Sequence, residues 1–60
     1  MFNKSELENI ELNLLLEAIY RRYGYDFRDY ARSSLLRRAK LFISHLGLQN
    51  ISEVIPTILH

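Results

Sequence analysis

Two isolated glycines, Gly24 and Gly47, divide a chain that otherwise reads as a succession of helix-forming segments. Glycine readily adopts the left-handed backbone conformation that ends many α-helices. Before and between these glycines, apolar residues recur three and four positions apart, which is the spacing of one face of a helix. No alternating strand pattern competes with this periodicity. The sequence therefore predicts an all-α fold, a small bundle of three helices.

The first helix is expected over about residues 6–23, opened by a capping box between Ser5 and Glu8. Its buried face is predicted from residues at helical spacing: Leu12, Leu15, Leu16, Ile19 and Tyr23. A second apolar line follows the opposite side of this helix: Leu7, Ile10, Leu14 and Ala18. Either a third element covers this line, or the line contacts something outside the chain. We favour the second alternative.

The second helix is expected over about residues 28–46, with Asp26 or Asp29 as its cap. Tyr25 and Phe27 are expected to turn inward beside the glycine that ends the first helix. The buried face of the second helix is predicted from five residues: Leu35, Ala39, Phe42, Ile43 and Leu46.

The third helix is expected over about residues 51–59, where Asn50 and Glu53 have the spacing of a second capping box. Pro56 lacks the backbone N–H that a helix interior requires. We therefore expect this helix either to be kinked or to begin late.

Charge is sorted along the chain, although the formal net charge is only +1. Residues 1–19 hold one cation against four carboxylates, whereas residues 20–40 hold seven cations against two. On the second helix, Arg37 and Lys40 are predicted to project away from the buried face, with Arg38 at its edge. A basic helix surface of this kind attracts an acidic partner. The alternative is that these charges only contact solvent. The near-neutral total disfavours nucleic acid as the partner.

The sequence lacks the combinations of residues that catalysis or metal binding would need. The chain has no cysteine, and His45 and His60 have no carboxylate at ligand spacing, so no metal site is expected. The isolated glycines form no phosphate-binding loop. No apolar stretch approaches the roughly 20 residues of a membrane-spanning helix, so membrane insertion is not expected. We expect no catalytic activity from these residues alone.

The chain resembles the N-terminal all-helical domain of CheR-type methyltransferases. The similarity extends without gaps from about residue 12 to 55 and is carried by four elements in order: Glu17–Phe27 (EAIYRRYGYDF), Tyr30, Leu35–Arg38 (LLRR) and Leu46–Leu48 (LGL). Members of this family methylate glutamate side chains on the cytoplasmic helices of chemotaxis receptors, with S-adenosyl-L-methionine as methyl donor. The resemblance thus implies a cytoplasmic protein-glutamate O-methyltransferase.

The resemblance also implies a division of labour between domains. The helical domain precedes a Rossmann-like catalytic domain, caps the active site, and turns its basic second helix toward the glutamate-rich receptor helices. Residues 1–60 are therefore expected to form a single helical domain, the N-terminal fragment of a longer chain whose catalytic domain is absent. The second apolar line of the first helix, or part of it, would pack on that domain. The cofactor would bind the full-length parent, and no cofactor-binding residue can be assigned here.

Carried over by position, Arg38 matches the recurrent arginine in the middle of the family's second helix, and Arg37 matches many members. These two residues and Lys40 are the predicted receptor-binding residues. A structural salt bridge from Arg38 to Glu17 or to the absent domain is the alternative. The chain departs from the family by turning apolar after Lys40, and Leu41 is expected to add a partly apolar contact.

Two other functions stay open at this point. A free-standing helical interaction module could use the same basic helix on an acidic protein. A DNA-binding helical domain, which the near-neutral charge disfavours, would need the same cations to contact base edges.

Overall fold

Three α-helices and one 3₁₀ helix follow one another along the chain. Helix α1 spans Lys4–Tyr23, α2 spans Arg32–His45, the 3₁₀ helix spans Ile51–Val54, and α3 spans Ile55–Leu59. The computed structural model describes all 60 residues and contains no strand. The predicted all-α class and three-helix architecture are confirmed.

Helix α1 begins two residues earlier than predicted. Asn3 is its cap: the side-chain oxygen of Asn3 accepts a hydrogen bond of 2.8 Å from the Glu6 N–H. The Asn3 amide in turn donates to the Glu6 carboxylate at 2.8 Å. The box predicted between Ser5 and Glu8 is wrong, because Asn3 and Glu6 form a reciprocal arrangement with the same spacing nearer the chain start.

Both glycines end helices, as predicted. Gly24 has a φ of +80° and donates its N–H to the carbonyl of Tyr20 at 2.8 Å. Gly47 has a φ of +73°, and beyond it the Leu48 N–H reaches back to the Ile43 carbonyl at 2.9 Å. These bonds satisfy carbonyls that would otherwise lack a partner at each helix end.

Helix α2 begins at Arg32, so the start predicted at residue 28 is wrong. The Asp26 carboxylate accepts a hydrogen bond of 3.0 Å from the Arg28 N–H, which makes a turn instead of a helix cap. An aspartate that bonds the backbone two residues later competes with helix formation. Ala31 occupies the cap position and offers no side-chain hydrogen bond, so neither Asp26 nor Asp29 caps α2.

The C-terminal element begins late as an α-helix, which was one of the two predicted outcomes. A 3₁₀ helix comes first, and Pro56 then lies in the first turn of α3, where its missing N–H costs no hydrogen bond. The Glu53 carboxylate accepts hydrogen bonds from the N–H groups of Asn50 at 2.7 Å and Gln49 at 2.8 Å. The bond from Asn50 is the Glu53 half of the predicted Asn50–Glu53 capping box, which is confirmed, and the bond from Gln49 adds to it.

The core lies where α1, α2 and the 3₁₀ helix meet. Only eight of the 60 residues are buried, as expected for so short a chain. Six of the eight form one apolar cluster: Leu12, Leu15, Ala39, Ile43, Ile51 and Val54. Half-buried residues of the three α-helices and of the connection after α2 pack around it: Leu16, Ile19, Leu35, Leu36, Leu48, Ile55 and Ile58.

Four residues predicted to face inward are exposed instead: Tyr23, Tyr25, Phe42 and Leu46. The core side of α2 is set by Ala39 and Ile43, with Leu36 half buried, so Phe42 and Leu46 lie at its margin. The rings of Tyr23 and Tyr25 stack on each other with 6.4 Å between centroids, where α1 gives way to the connection.

Candidate functional site

The exposed side of α2 carries two arginines, Arg37 and Arg38, that make no ion pair. The salt bridge considered between Arg38 and Glu17 does not form; Glu17 instead accepts from Arg21 on its own helix at 2.7 Å. A guanidinium on a rigid helix and without a carboxylate partner is available to an acidic ligand.

Lys40, the third predicted site residue, is engaged within the domain. Its Nζ lies 2.9 Å from the Glu8 Oε2, and this pair links α2 to α1. The Lys40 side chain is still about half exposed, at 48% of its full accessibility. Its charge is thus partly neutralised, and Arg37 and Arg38 carry the uncompensated charge of this surface.

An apolar cleft of about 370 Å³ separates α1 from α2 beside Arg38. Twelve residues line it, among them Leu16, Leu35, Ala39 and Phe42, and Arg38 is the one charged residue in the lining. Phe42, predicted to be buried, is half exposed because it forms part of the wall of this cleft. Leu41, for which an apolar contact was expected, is exposed but does not line the cleft.

The cleft continues into a second groove of about 400 Å³ at the end of α1, since the two share Leu16, Phe27, Tyr30 and Leu35. This groove is more polar and is also lined by three exposed tyrosines: Tyr20, Tyr25 and Tyr30. The α1–α2 surface thus changes from aromatic and polar at the connection to apolar beside Arg38.

An ion pair between Asp26 and Arg28 borders the polar groove, with 2.7 Å between Nη2 and Oδ2. The hydrogen bonds from the Arg28 side chain, with one from its backbone, lower the pKa of Asp26 from 3.8. The same carboxylate raises the pKa of Arg28. Both groups are therefore charged at neutral pH, and Arg28 is already occupied by a carboxylate.

Arg32 joins the two long helices by hydrogen bonds that sequence reasoning missed. Its guanidinium donates to the side-chain oxygens of Asn13 at 2.7 Å and Asn9 at 3.2 Å. No short-range pattern signals these bonds, because the partners are neutral amides 19 and 23 residues away. They fix the start of α2 against α1 beside the polar groove, which Asn13 and Arg32 also line.

The second apolar line of α1 is only partly covered. Ala18 is buried, whereas Leu7, Ile10 and Leu14 are exposed to 44%, 37% and 54%. These three residues lie one turn apart along one side of α1 and form what we call the α1 stripe. The alternative in which a third element covers the whole line is thereby wrong.

The two glycines that end helices, Gly24 and Gly47, lie in open surroundings. A Cβ added at Gly24 or Gly47 would meet nothing within 4 Å, so glycine is favoured there by the positive φ and not by close packing. No buried side-chain nitrogen or oxygen lacks a hydrogen-bond partner. No three histidine, cysteine, aspartate or glutamate residues gather as metal ligands, and none of the helices is both long and apolar enough to span a membrane.

Comparison with known proteins identifies relatives of the chain. Residues 10–58 match the family model described as "CheR methyltransferase, all-alpha domain". The chain is also 38% identical over 52 residues to the Pseudomonas putida protein named "Putative methyltransferase Cher3". The match covers 87% of this chain but 19% of that protein, so the chain spans about a fifth of its relative's length. No solved structure matches significantly.

Proposed function

The chain belongs to the family of CheR methyltransferase all-alpha domains, and on that premise we propose that it recognises substrate for an S-adenosyl-L-methionine-dependent methyltransferase. In this proposal it is the N-terminal domain that caps the active site, and α2 faces the glutamate-bearing helices of a chemotaxis receptor. Those glutamate side chains are the methyl acceptors. The proposed location is the cytoplasm, where such receptor helices lie.

The observation that carries the proposal is the pair of arginines without ion-pair partners on α2, Arg37 and Arg38. An arginine fork can bind a carboxylate through two parallel hydrogen bonds. A glutamate-rich helix would present several carboxylates along one side, which complements this surface. Contacts of this exposed kind mainly accelerate and orient docking.

The proposal is tested by the binding of a fluorescein-labelled, glutamate-rich helical peptide to the 60-residue chain, followed by fluorescence anisotropy. Arg38→Glu should raise the Kd roughly tenfold, equivalent to about 1.4 kcal/mol, because an attraction becomes a repulsion. Arg22→Glu is the matched control. Arg22 is exposed, makes no ion pair and lies on α1. Both substitutions replace arginine by glutamate, so they change the net charge by the same amount.

The control variant should bind the peptide within about threefold of the unmodified chain, since it lies outside the proposed contact. Circular dichroism checks that both variants keep their helix content. If Arg38→Glu and Arg22→Glu weaken binding equally, the attraction is a general charge effect and α2 is not the docking surface.

We further propose that a catalytic domain follows this one in the full-length protein and packs on the α1 stripe. The relative's extra four-fifths of length and the exposure of Leu7, Ile10 and Leu14 support this arrangement. S-adenosyl-L-methionine would bind that domain and supply the methyl group. The chain's own part in the reaction would be to hold the receptor helix against the opening of the active site.

The gene sequence after His60 tests this second proposal. A strand, a glycine-rich turn and a helix, which form the βαβ unit of a nucleotide-binding domain, are the expected continuation. A stop codon within a few positions of His60 would contradict it and would favour a free-standing module for acidic protein partners.

A further inference from the structure

We propose that the cleft between α1 and α2 receives one apolar side chain from the same acidic helix that Arg38 binds. The inference rests on the proposed function, because it takes α2 as the docking surface. It adds a definition of the target: a glutamate with a large apolar residue one helical turn away. Acidity alone would then be insufficient for full affinity.

The size and lining of the cleft fit an apolar side chain. An apolar cavity of about 150 Å³ is large enough for benzene, and this cleft offers about 370 Å³. Its walls include Leu16, Leu35, Ala39 and Phe42, and no acidic residue lines it. A leucine or phenylalanine side chain would replace water against these apolar walls.

The position of Arg38 in the lining indicates the chemistry of the partner. It is the single charged group there, it makes no ion pair within the domain, and it lies one turn before Phe42 on α2. On a partner helix, residues three or four apart likewise lie about 5–6 Å from each other. A glutamate and an apolar residue at that spacing would therefore reach Arg38 and the Phe42 wall together.

Phe42 and Arg38 also have the character of residues that dominate protein interfaces. Aromatic residues and arginine are enriched at the centres of interfaces, where they line or fill pockets. Half of the Phe42 accessibility remains exposed, so partner contact would remove further apolar surface from water. Charge complementarity makes the occupant an acidic amphipathic helix.

Two synthetic helical peptides test the inference against the 60-residue chain by fluorescence anisotropy. They share the same glutamates and differ at one position, a leucine or an alanine one turn after the central glutamate. Both residues are good helix formers, so the peptides retain similar helicity. The leucine peptide should bind about tenfold more tightly, because its side chain is buried in the cleft.

Variants of α2 then locate the effect. Phe42→Ala should abolish the preference for leucine, whereas Leu41→Ala should leave it intact, because Leu41 is exposed on the same helix but outside the cleft. Ser34→Phe provides a second route to the same result. Ser34 is an exposed residue of the cleft lining, and a phenyl ring there should fill the cleft without removing any core side chain.

The outcomes separate this inference from the function on which it rests. If both peptides bind equally and Arg38→Glu still weakens both, the docking surface stands and the cleft inference is overturned. Loss of the leucine preference in Leu41→Ala but not in Phe42→Ala or Ser34→Phe would also overturn it. If neither peptide binds, the proposed function and the inference fail together.

Discussion

A buried carboxylate, Glu11, connects the middle of α1 to the start of the 3₁₀ helix. Glu11 is 7% exposed, and its Oε2 accepts a hydrogen bond of 3.0 Å from the Ser52 N–H, 41 residues away. The substitution Glu11→Ala would remove the acceptor and leave that backbone N–H without a partner in a partly buried position. The contact also joins two parts of the chain that periodicity alone does not bring together.

The size of the effect follows from the type of bond. Hydrogen bonds to charged groups contribute about 1.5–3 kcal/mol, and an unsatisfied buried donor costs about 1–3 kcal/mol. We therefore expect Glu11→Ala to lower the free energy of unfolding by about 2 kcal/mol. In a domain of this size each kcal/mol corresponds to about 4–8 °C, so the Tm should fall by roughly 8–16 °C.

Urea unfolding followed by far-UV circular dichroism measures this loss, with Glu11→Gln as the matched control. Glutamine keeps the length and the carbonyl acceptor but not the charge, so it should recover about half of the loss. The slope of the free energy against urea should stay unchanged in both variants. A loss below about 0.5 kcal/mol for Glu11→Ala, which is the range of ordinary surface substitutions, would refute the reasoning.

Three further variants test how the domain is held together. Gly24→Ala should lower the free energy of unfolding by about 1 kcal/mol through backbone strain alone, since φ is +80° and the added Cβ meets nothing within 4 Å; an unchanged Tm would contradict this. Arg32→Met should lower it by about 1 kcal/mol, and the loss should not add to that of Asn13→Ala, because both remove the same hydrogen bond. Full additivity in the double mutant would show that the bond is not formed. Lys40→Gln should cost about 0.5 kcal/mol at low salt and almost nothing near 1 M salt, as expected for its half-exposed pair with Glu8; a loss independent of salt would contradict this.

The features that sequence predicted correctly depend on local rules. Helical periodicity located α1 and α2, Gly24 and Gly47 ended them, and Pro56 fixed the late start of α3. Periodicity reflects which side of a helix is buried, whereas the two glycines and Pro56 act through their own backbone preferences. The fold class could therefore be predicted from these local rules, whereas the family was predicted from the resemblance of Glu17–Phe27 and the motifs after it, and is shown by the family model.

The errors lie where two parts of the chain compete or meet. Asp26 has the properties of a helix cap but bonds to the N–H of Arg28, which delays α2 until Arg32. Periodicity shows that α2 has an apolar side, but how that side turns about the helix axis toward the core depends on its packing against α1. Periodicity therefore placed Phe42 inside the core, whereas in the structure Phe42 lines an open cleft. The buried position of Glu11 likewise follows from the distant Ser52, and no local pattern reveals it.

The α2 surface can be tested directly by a ¹H–¹⁵N NMR titration of the chain with the glutamate-rich helical peptide that carries leucine. The account predicts that the largest shifts cluster on Arg37, Arg38 and Phe42, with the α1 stripe unaffected. Shifts concentrated on Leu7 and Leu14 instead, or no shifts in α2 at saturation, would contradict the claim that this helix binds the receptor.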